Sequence, residues 1–303
     1  MSAEPIYRVF LAVLAFLVIC VAAPRAEEVT DHAGRKVDVP SDPERVVSLA
    51  PSITEMVFAV KRGHRLAGVT MYSNYPPEAK DIASVGSYVS LDLEKIVSLD
   101  PDLCIAIKDG NPIEVIRRLE NFGIPVYAVD PMDLDSVMET ISDIGKLLGG
   151  KQEAHKVISE MKERISEVEK AISGTSQRPG VFFQIGVDPI VSAGADTFIH
   201  ELITRAGGRN LAGENRGYPR FSTEEVLALA PDIIIVTSME RQSSFERVVR
   251  KWKNWESLPA AADDRIYLVD SDLVDRPSPR LVKGLEKLAG LIHPECLSGP
   301  GKD

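Results

Sequence analysis

Short apolar runs recur along the chain: Val46 to Leu49, Leu66 to Val69, Leu103 to Ile107, Val126 to Val129, Val181 to Ile185, Ile233 to Val236 and Ile266 to Val269. They lack the strict apolar-polar alternation of a half-exposed strand. Apolar on both faces, they predict strands of parallel sheets covered by helices. Between them the spacing changes. Ile113, Ile116 and Leu119 mark a helix over 112–121, and Phe245, Val248, Val249 and Trp252 mark another before the last strand. Strands that alternate with helices predict α/β lobes.

One stretch occurs twice. Glu94-Lys-Ile-Val-Ser-Leu-Asp-Pro101-Asp102-Leu-Cys-Ile-Ala-Ile107 aligns without gaps to Glu224-Glu-Val-Leu-Ala-Leu-Ala-Pro231-Asp232-Ile-Ile-Ile-Val-Thr237. Both copies read as a helix, a Pro-Asp break that proline enforces, and a buried strand. So wide a repeat is a duplicated domain and not a solenoid. Between the copies, Ala154, Ile158, Met161, Ile165, Val168 and Ile172 fall on one helical face, and Gly149-Gly150 separates this helix from another over 134–148. The expected organisation is a signal segment (1–26), an N-terminal lobe (27–133), connecting helices (134–176) and a C-terminal lobe (177–303). The fold class is α/β, two doubly wound parallel-sheet lobes joined by a long inter-lobe helix.

The 303 residues exceed one ordinary domain, and the formal net charge of −10 argues against a nucleic-acid surface. Arg8 followed by the apolar run Val9 to Ala23 reads as a secretory signal, with cleavage expected after Ala26 and export to the periplasm. Cys20 in Leu17-Val-Ile-Cys20 offers a lipid-anchored alternative, against which Ile19 stands where a small residue is expected. Cys104 and Cys296 then remain, too few for a disulfide framework; Cys104 lies in an apolar run and reads as core.

No constellation of catalytic residues is legible. The five histidines are dispersed, with no paired metal-ligand spacing, and neither a P-loop nor a nucleophile elbow occurs. No catalytic residue, bound metal or cofactor is expected, and an α/β enzyme is the remote alternative. Ser52 and Glu55 fit a capping box at a helix start, whose amides could equally face a ligand. The loop Thr70-Met-Tyr72-Ser-Asn-Tyr75-Pro-Pro77, with Tyr88, Tyr218 and Phe221 in comparable loops, offers rings to a large flat ligand. Ser222 with Glu225 forms a second capping box, which leaves Glu224 without a local task. Glu94 and Glu224 read either as charges favoured at helix N-termini or as one exposed acid per lobe, placed to engage arginines on a two-fold partner.

Ser48-Leu-Ala-Pro-Ser-Ile-Thr-Glu55, Tyr72-Ser-Asn-Tyr-Pro-Pro77, Pro101-Asp102-Leu103, Gly186-Val-Asp-Pro189 and Arg276-Pro-Ser-Pro-Arg280 resemble the cobalamin-binding members of the helical-backbone solute-binding protein family of ABC importers. The resemblance runs from about Glu44 to about Leu291, and it implies a class III periplasmic binding-protein architecture with a corrinoid as transported ligand between the lobes. It puts Ser52, Tyr72, Tyr88, Tyr218 and Asp272 at ligand-contacting positions. It puts Glu94 and Glu224 at the acids that dock on an inner-membrane ABC permease. The expected protein is a monomer that makes and breaks no bond. The sequence departs from the family where Tyr88, Ile107, Tyr218 and Leu273 replace tryptophans, and where Ala206 replaces a disulfide cysteine. These departures leave haem or a ferric siderophore as the alternative ligand.

Overall fold

The computed structural model describes residues 26–238 and 243–297. The expected signal segment up to Arg25, and with it Cys20, lies outside the described residues. A hairpin of β1 (Ala26–Thr30) and β2 (Lys36–Pro40) opens the chain. The first lobe follows as β3 (Val46–Ser48), α1 (Pro51–Ala59), β4 (Leu66–Gly68), the small hairpin β5 (Gly86–Ser87) and β6 (Ser90–Leu91), α2 (Leu93–Ser98), β7 (Leu103–Ile107), α3 (Ile113–Asn121) and β8 (Val126–Val129). Helices α4 (Leu134–Leu147) and α5 (Lys151–Ile172) lead to the second lobe. That lobe comprises β9 (Gly180–Gln184), β10 (Gly186–Val187), β11 (Ile190–Val191), α6 (Phe198–Arg205), β12 (Arg209–Asn210), β13 (Arg220–Phe221), α7 (Thr223–Leu229), β14 (Ile233–Ser238), α8 (Ser243–Lys253), α9 (Pro259–Ala262), β15 (Ile266–Asp270), α10 (Ser271–Val274), α11 (Leu281–Ile292) and α12 (Pro294–Leu297).

Each lobe is built on a four-stranded parallel sheet, ordered β4-β3-β7-β8 in the first and β12-β9-β14-β15 in the second. In both, the second strand lies outside the first and the third lies on its other side. The Pro-Asp of the repeat explains part of this equivalence. Asp102 accepts from the Glu44 and Arg45 amides (2.8 and 3.1 Å), and Asp232 accepts from the Gly180 amide (2.6 Å). The aspartate thus clamps the start of each third strand to the start of the first.

Side chains alternate across each strand. Leu103 and Ile105 of β7, and Ile233 and Ile235 of β14, face one hydrophobic core that also takes in Met161, Ile165 and Val168 of α5. Cys104 and Ala106 face a separate outer core of the first lobe, and Ile234 and Val236 that of the second. The inner faces of the two sheets therefore share a core with the connecting helix. Arg164 of α5 adds a bidentate pair to Glu286 of α11 (2.7 and 2.6 Å). Gly149, at φ +67°, turns the chain between α4 and α5 in a conformation that side chains disfavour.

Three expectations need correction. Helix α1 begins at Pro51 with Ala50 as its N-cap and carries no side-chain cap bond. Proline at the first helical position starts the helix one residue early, so Ser52 sits inside the first turn and Glu55 turns to Arg280 instead. Phe221 packs edge-on against Phe182 (5.3 Å between centroids) as core, not as a ring free for ligand. Pro112 is the N-cap of α3 and not its first residue. Cys104 is buried, which pushes its thiol up to about 12, and both described cysteines are free.

Candidate functional site

In open parallel sheets a crevice forms at the carboxyl ends of the strands where the strand order reverses. In the first lobe that point lies between β3 and β7. The turn after β3 and the first residues of α1 supply Ala50, Pro51 and Ser52, and the end of β7 with the turn after it supplies Ile107 and Gly110. These residues, with Tyr72, Tyr88 and Val89, form one wall of a cleft of about 400 Å³. Ser271, Asp272, Asp275, Arg276 and Pro277 of the second lobe form the other.

Buried polar groups hold the first wall in place. Hydroxyls of Ser48, Thr54, Ser73 and Thr70 form a chain with successive separations of 2.8, 2.9 and 3.0 Å, anchoring the Tyr72 loop to α1. Asn111 donates to the carbonyls of Leu49 and Tyr88, both at 2.8 Å, and accepts from the Ile107 amide at 2.8 Å. One amide side chain thus joins the ends of β3 and β7 to the tip of the β5–β6 hairpin. Gly110 fits this junction because a Cβ there would stand 2.6 Å from Ile107 and 3.6 Å from the Tyr88 ring.

The second wall is charged and tied to the first. Arg280 makes a bidentate pair with Glu55 (2.6 and 2.8 Å), and its guanidinium stacks on the Tyr75 ring at 4.2 Å. Arg276 reaches Asp272 (2.8 Å), Asn74 (2.9 Å) and Glu55 (3.5 Å), while Asn74 donates to the other oxygen of Asp272 (3.1 Å). This network crosses between the lobes. Behind it a hollow of about 310 Å³ opens among α1, α5 and the start of α11.

Of the residues expected at the site, Ser52, Tyr72, Tyr88 and Asp272 line this one cleft. Tyr218 stands beside it with 55% of its surface exposed. Crowding of its phenol end, then Asp275, Asp196 and neighbouring Tyr88, hold its pKa above the ordinary tyrosine value. Glu94 and Glu224 lie elsewhere. Each is exposed at the second position of its helix, and among the described residues neither side chain has a hydrogen bond or ion pair. The capping box of Ser222 and Glu225 is present (3.2 and 2.6 Å), and it depresses the Glu225 pKa.

Asn111, Asp275 and the pairing of Glu55 with Arg280 escape a reading of the sequence. Asn111 follows Asp109-Gly110 and looks like an ordinary turn residue. Glu55 looks like a cap because its partner is 225 residues away. Asp275 carries no local pattern. Among the described residues, the one grouping of three metal-capable side chains is His293, Glu295 and Cys296, none of which lines the cleft. The His293 ring lies between the Gly207 carbonyl (3.1 Å) and Glu295 (3.0 Å). No described helix is long and apolar enough to cross a membrane.

Two duplicated α/β lobes, joined through helices and closing on one cleft, define the class of two-lobed solute-binding proteins. A family model described as periplasmic binding protein matches residues 46–273, and the chain belongs to that family, whose members serve ABC importers. An uncharacterized ABC transporter substrate-binding lipoprotein, YvrC, of Bacillus subtilis is 32% identical over 88% of this chain and 85% of its own length. A vitamin B12-binding protein of Vibrio parahaemolyticus is 30% identical over 80% of this chain and 86% of its own. Among solved structures, the periplasmic vitamin B12-binding protein BtuF of Vibrio cholerae superposes with a TM-score of 0.75 at 26% identity, covering 86% of this chain and 100% of that one. The periplasmic heme-binding protein RhuT of Roseiflexus reaches the same TM-score and identity, covering 84% and 99%. The architecture is that of class III periplasmic binding proteins.

Proposed function

We propose that this protein is exported to the periplasm by its N-terminal signal, captures a corrinoid between lobes of residues 27–133 and 177–303, and delivers it to an inner-membrane ABC permease. It acts as a monomer and leaves its ligand chemically unchanged. Ser52, Tyr72, Tyr88, Tyr218 and Asp272 contact the ligand.

The observation that carries the choice of ligand is the pairing of Arg276. Among the described residues it is the one cation lining the cleft, and it already engages Asp272, Glu55 and Asn74. Among the described residues, the cleft therefore offers tyrosine rings and polar groups without an unpaired cation. That suits a large ring bordered by neutral amides better than haem, whose carboxylates call for cationic partners. The relatives named as vitamin B12-binding proteins support the same reading. Haem is the second reading, favoured by three phenols at the cleft that could ligate iron and by the heme-binding neighbour.

Calorimetric titration of the mature protein with cyanocobalamin and with hemin tests the choice. Cyanocobalamin is expected to bind, and replacing Tyr88 and Tyr218 together by alanine to weaken it by about 1–3 kcal/mol, the range for losing buried aromatic anchors. Binding of hemin alone, with an iron–phenolate absorption band, would replace the corrinoid reading by the haem one.

Delivery rests on Glu94 and Glu224. A helix that returns the chain to the start of a parallel strand runs opposite to that strand. The N-termini of α2 and α7 therefore lie level with the carboxyl ends of the strands, on the side of the molecule that bears the cleft. One unpaired acid per lobe on that side is suited to meet arginines of a permease that holds both lobes at once.

A further inference from the structure

The acids around the cleft are not equivalent. Asp272 has Arg276 on one oxygen and Asn74 on the other. Glu55 lies between two guanidinium groups. Asp275, one helical turn beyond Asp272 and on the same wall, has neither kind of partner. Its Oδ1 accepts from the Thr237 hydroxyl at 3.3 Å, and its Oδ2 is enclosed with no hydrogen-bond partner among the described residues. An unmatched buried oxygen of this kind costs about 1–3 kcal/mol. Native proteins retain few such groups, and each calls for a reason.

The surroundings of Asp275 decide its state. Burial raises its pKa most; Thr237, from β14, opposes this; Asp272 raises it, Arg276 lowers it and Asp270 raises it, leaving a value of about 7. Tyr218, from the loop before β13, also senses the Asp275 charge. Because the Thr237 hydroxyl donates to Oδ1, the proton of the neutral carboxyl resides on Oδ2. There it is a donor with no acceptor among the described residues. The residue lines the cleft, where a ligand can supply the acceptor.

We infer that Asp275 is a ligand-recognition group, donating through Oδ2–H to a carbonyl oxygen on the rim of the bound ligand, next to the ligand-contacting Asp272, which also holds Arg276 and Asn74 in the wall. This rests on the reading of the cleft as the solute site, and it names the ligand chemistry: a rim of amide or other carbonyl groups. A carboxylic acid that donates ceases to do so once ionised. Affinity is then highest below the pKa of Asp275 and falls as pH rises through it.

The test is calorimetric titration of cyanocobalamin and hemin into the parent, Asp275→Ala and Asp275→Asn proteins, at about pH 6 and about pH 8.5, on either side of the titration. Asp275→Ala should weaken cyanocobalamin about tenfold at the lower pH, as the loss of one desolvated hydrogen bond does. Asp275→Asn keeps an N–H donor and should bind nearly as the parent does at low pH, without the parent's loss of affinity at high pH. Thermal unfolding of each variant checks the fold; if the alanine protein does not fold, the pH profile of the asparagine protein decides. An alanine variant that folds and binds like the parent overturns the inference, and so does an asparagine variant that keeps the parent's pH slope. If the parent binds hemin alone with the same dependence on Asp275, the corrinoid reading falls and the role of Asp275 stands. If the parent binds neither, both fall.

Discussion

The segments 91–107 and 221–237 are two versions of one structure. Through the helix of each copy the order of buried, half-buried and exposed positions is identical, and the strand that follows enters its sheet at the same place in the strand order. The walls that the two lobes present to the cleft share nothing of the kind. The first is held by neutral groups, the hydroxyl chain and Asn111. The second is held by charges, Arg276, Arg280 and their acids, and among the described residues contains one enclosed carboxyl oxygen with no partner. Core positions of a duplicated unit stay alike because each must fill the same space with apolar atoms. Residues at the strand ends face the cleft, and packing does not constrain them in that way.

The contrast is tested most severely by breaking the charged wall. The side chains of Glu55 and Arg280 are 2% and 12% exposed, and their pairing spans the lobes. Arg280→Ala leaves Glu55 with only the 3.5 Å contact to Arg276. The expected loss is about 3–5 kcal/mol in urea unfolding, the range for stranding a buried charge. Replacing both residues by leucine should cost less than the single change, since no charge is then left alone. A single variant within about 0.5 kcal/mol of the parent would mean that the network contributes no more than an ordinary surface pair.

The next test uses what the two copies have in common. Replacing Glu94 and Glu224 together by alanine should weaken permease binding by about 2–5 kcal/mol, the cost of leaving interfacial arginines unpaired. Cyanocobalamin affinity should stay at the parent value, because neither residue lines the cleft. A pull-down on reconstituted permease beside a ligand titration separates the two effects. Unchanged permease binding would return both acids to a local role at helix N-termini.

How much of this is legible in the sequence follows the same division. The repeat, the buried strands and the face of α5 are readable because burial imposes a period on the chain. Five of the six apolar positions read on that face, Ala154, Met161, Ile165, Val168 and Ile172, are buried, and Ile158 is half-buried. The aromatic loops that reach the cleft are visible as well, through Tyr72 and Tyr88. What is not legible is long-range polar pairing. Glu55 satisfies the local rule for a cap and obeys a distant partner instead. Phe221 has the same composition cues as Tyr218 and packs inward against Phe182. Asp272 and Asp275 stand three residues apart, yet only the fold decides which one has its oxygens matched.

The smallest expected effect concerns Asn111, and it bears on the neutral wall. Removing its side chain leaves the Leu49 and Tyr88 carbonyls and the Ile107 amide without that partner, all near the junction of β3 and β7. Asn111→Ala is expected to lower stability by about 1–3 kcal/mol, less than three separate bonds would suggest, because solvent can reach part of the Tyr88 turn. It should also weaken ligand binding, since the turn that carries the Tyr88 ring loses its anchor. Tyr88→Ala supplies the contrast. Its ring lines the cleft, so affinity should fall while urea unfolding stays near that of the parent. Asn111→Asp sharpens the test further, because aspartate can still accept from the Ile107 amide but cannot, when ionised, donate to either carbonyl. If the donor bonds hold the wall, the aspartate variant should resemble the alanine variant. If it resembles the parent, the bond to Ile107 is the one that matters, and the hairpin tip does not depend on the donor bonds.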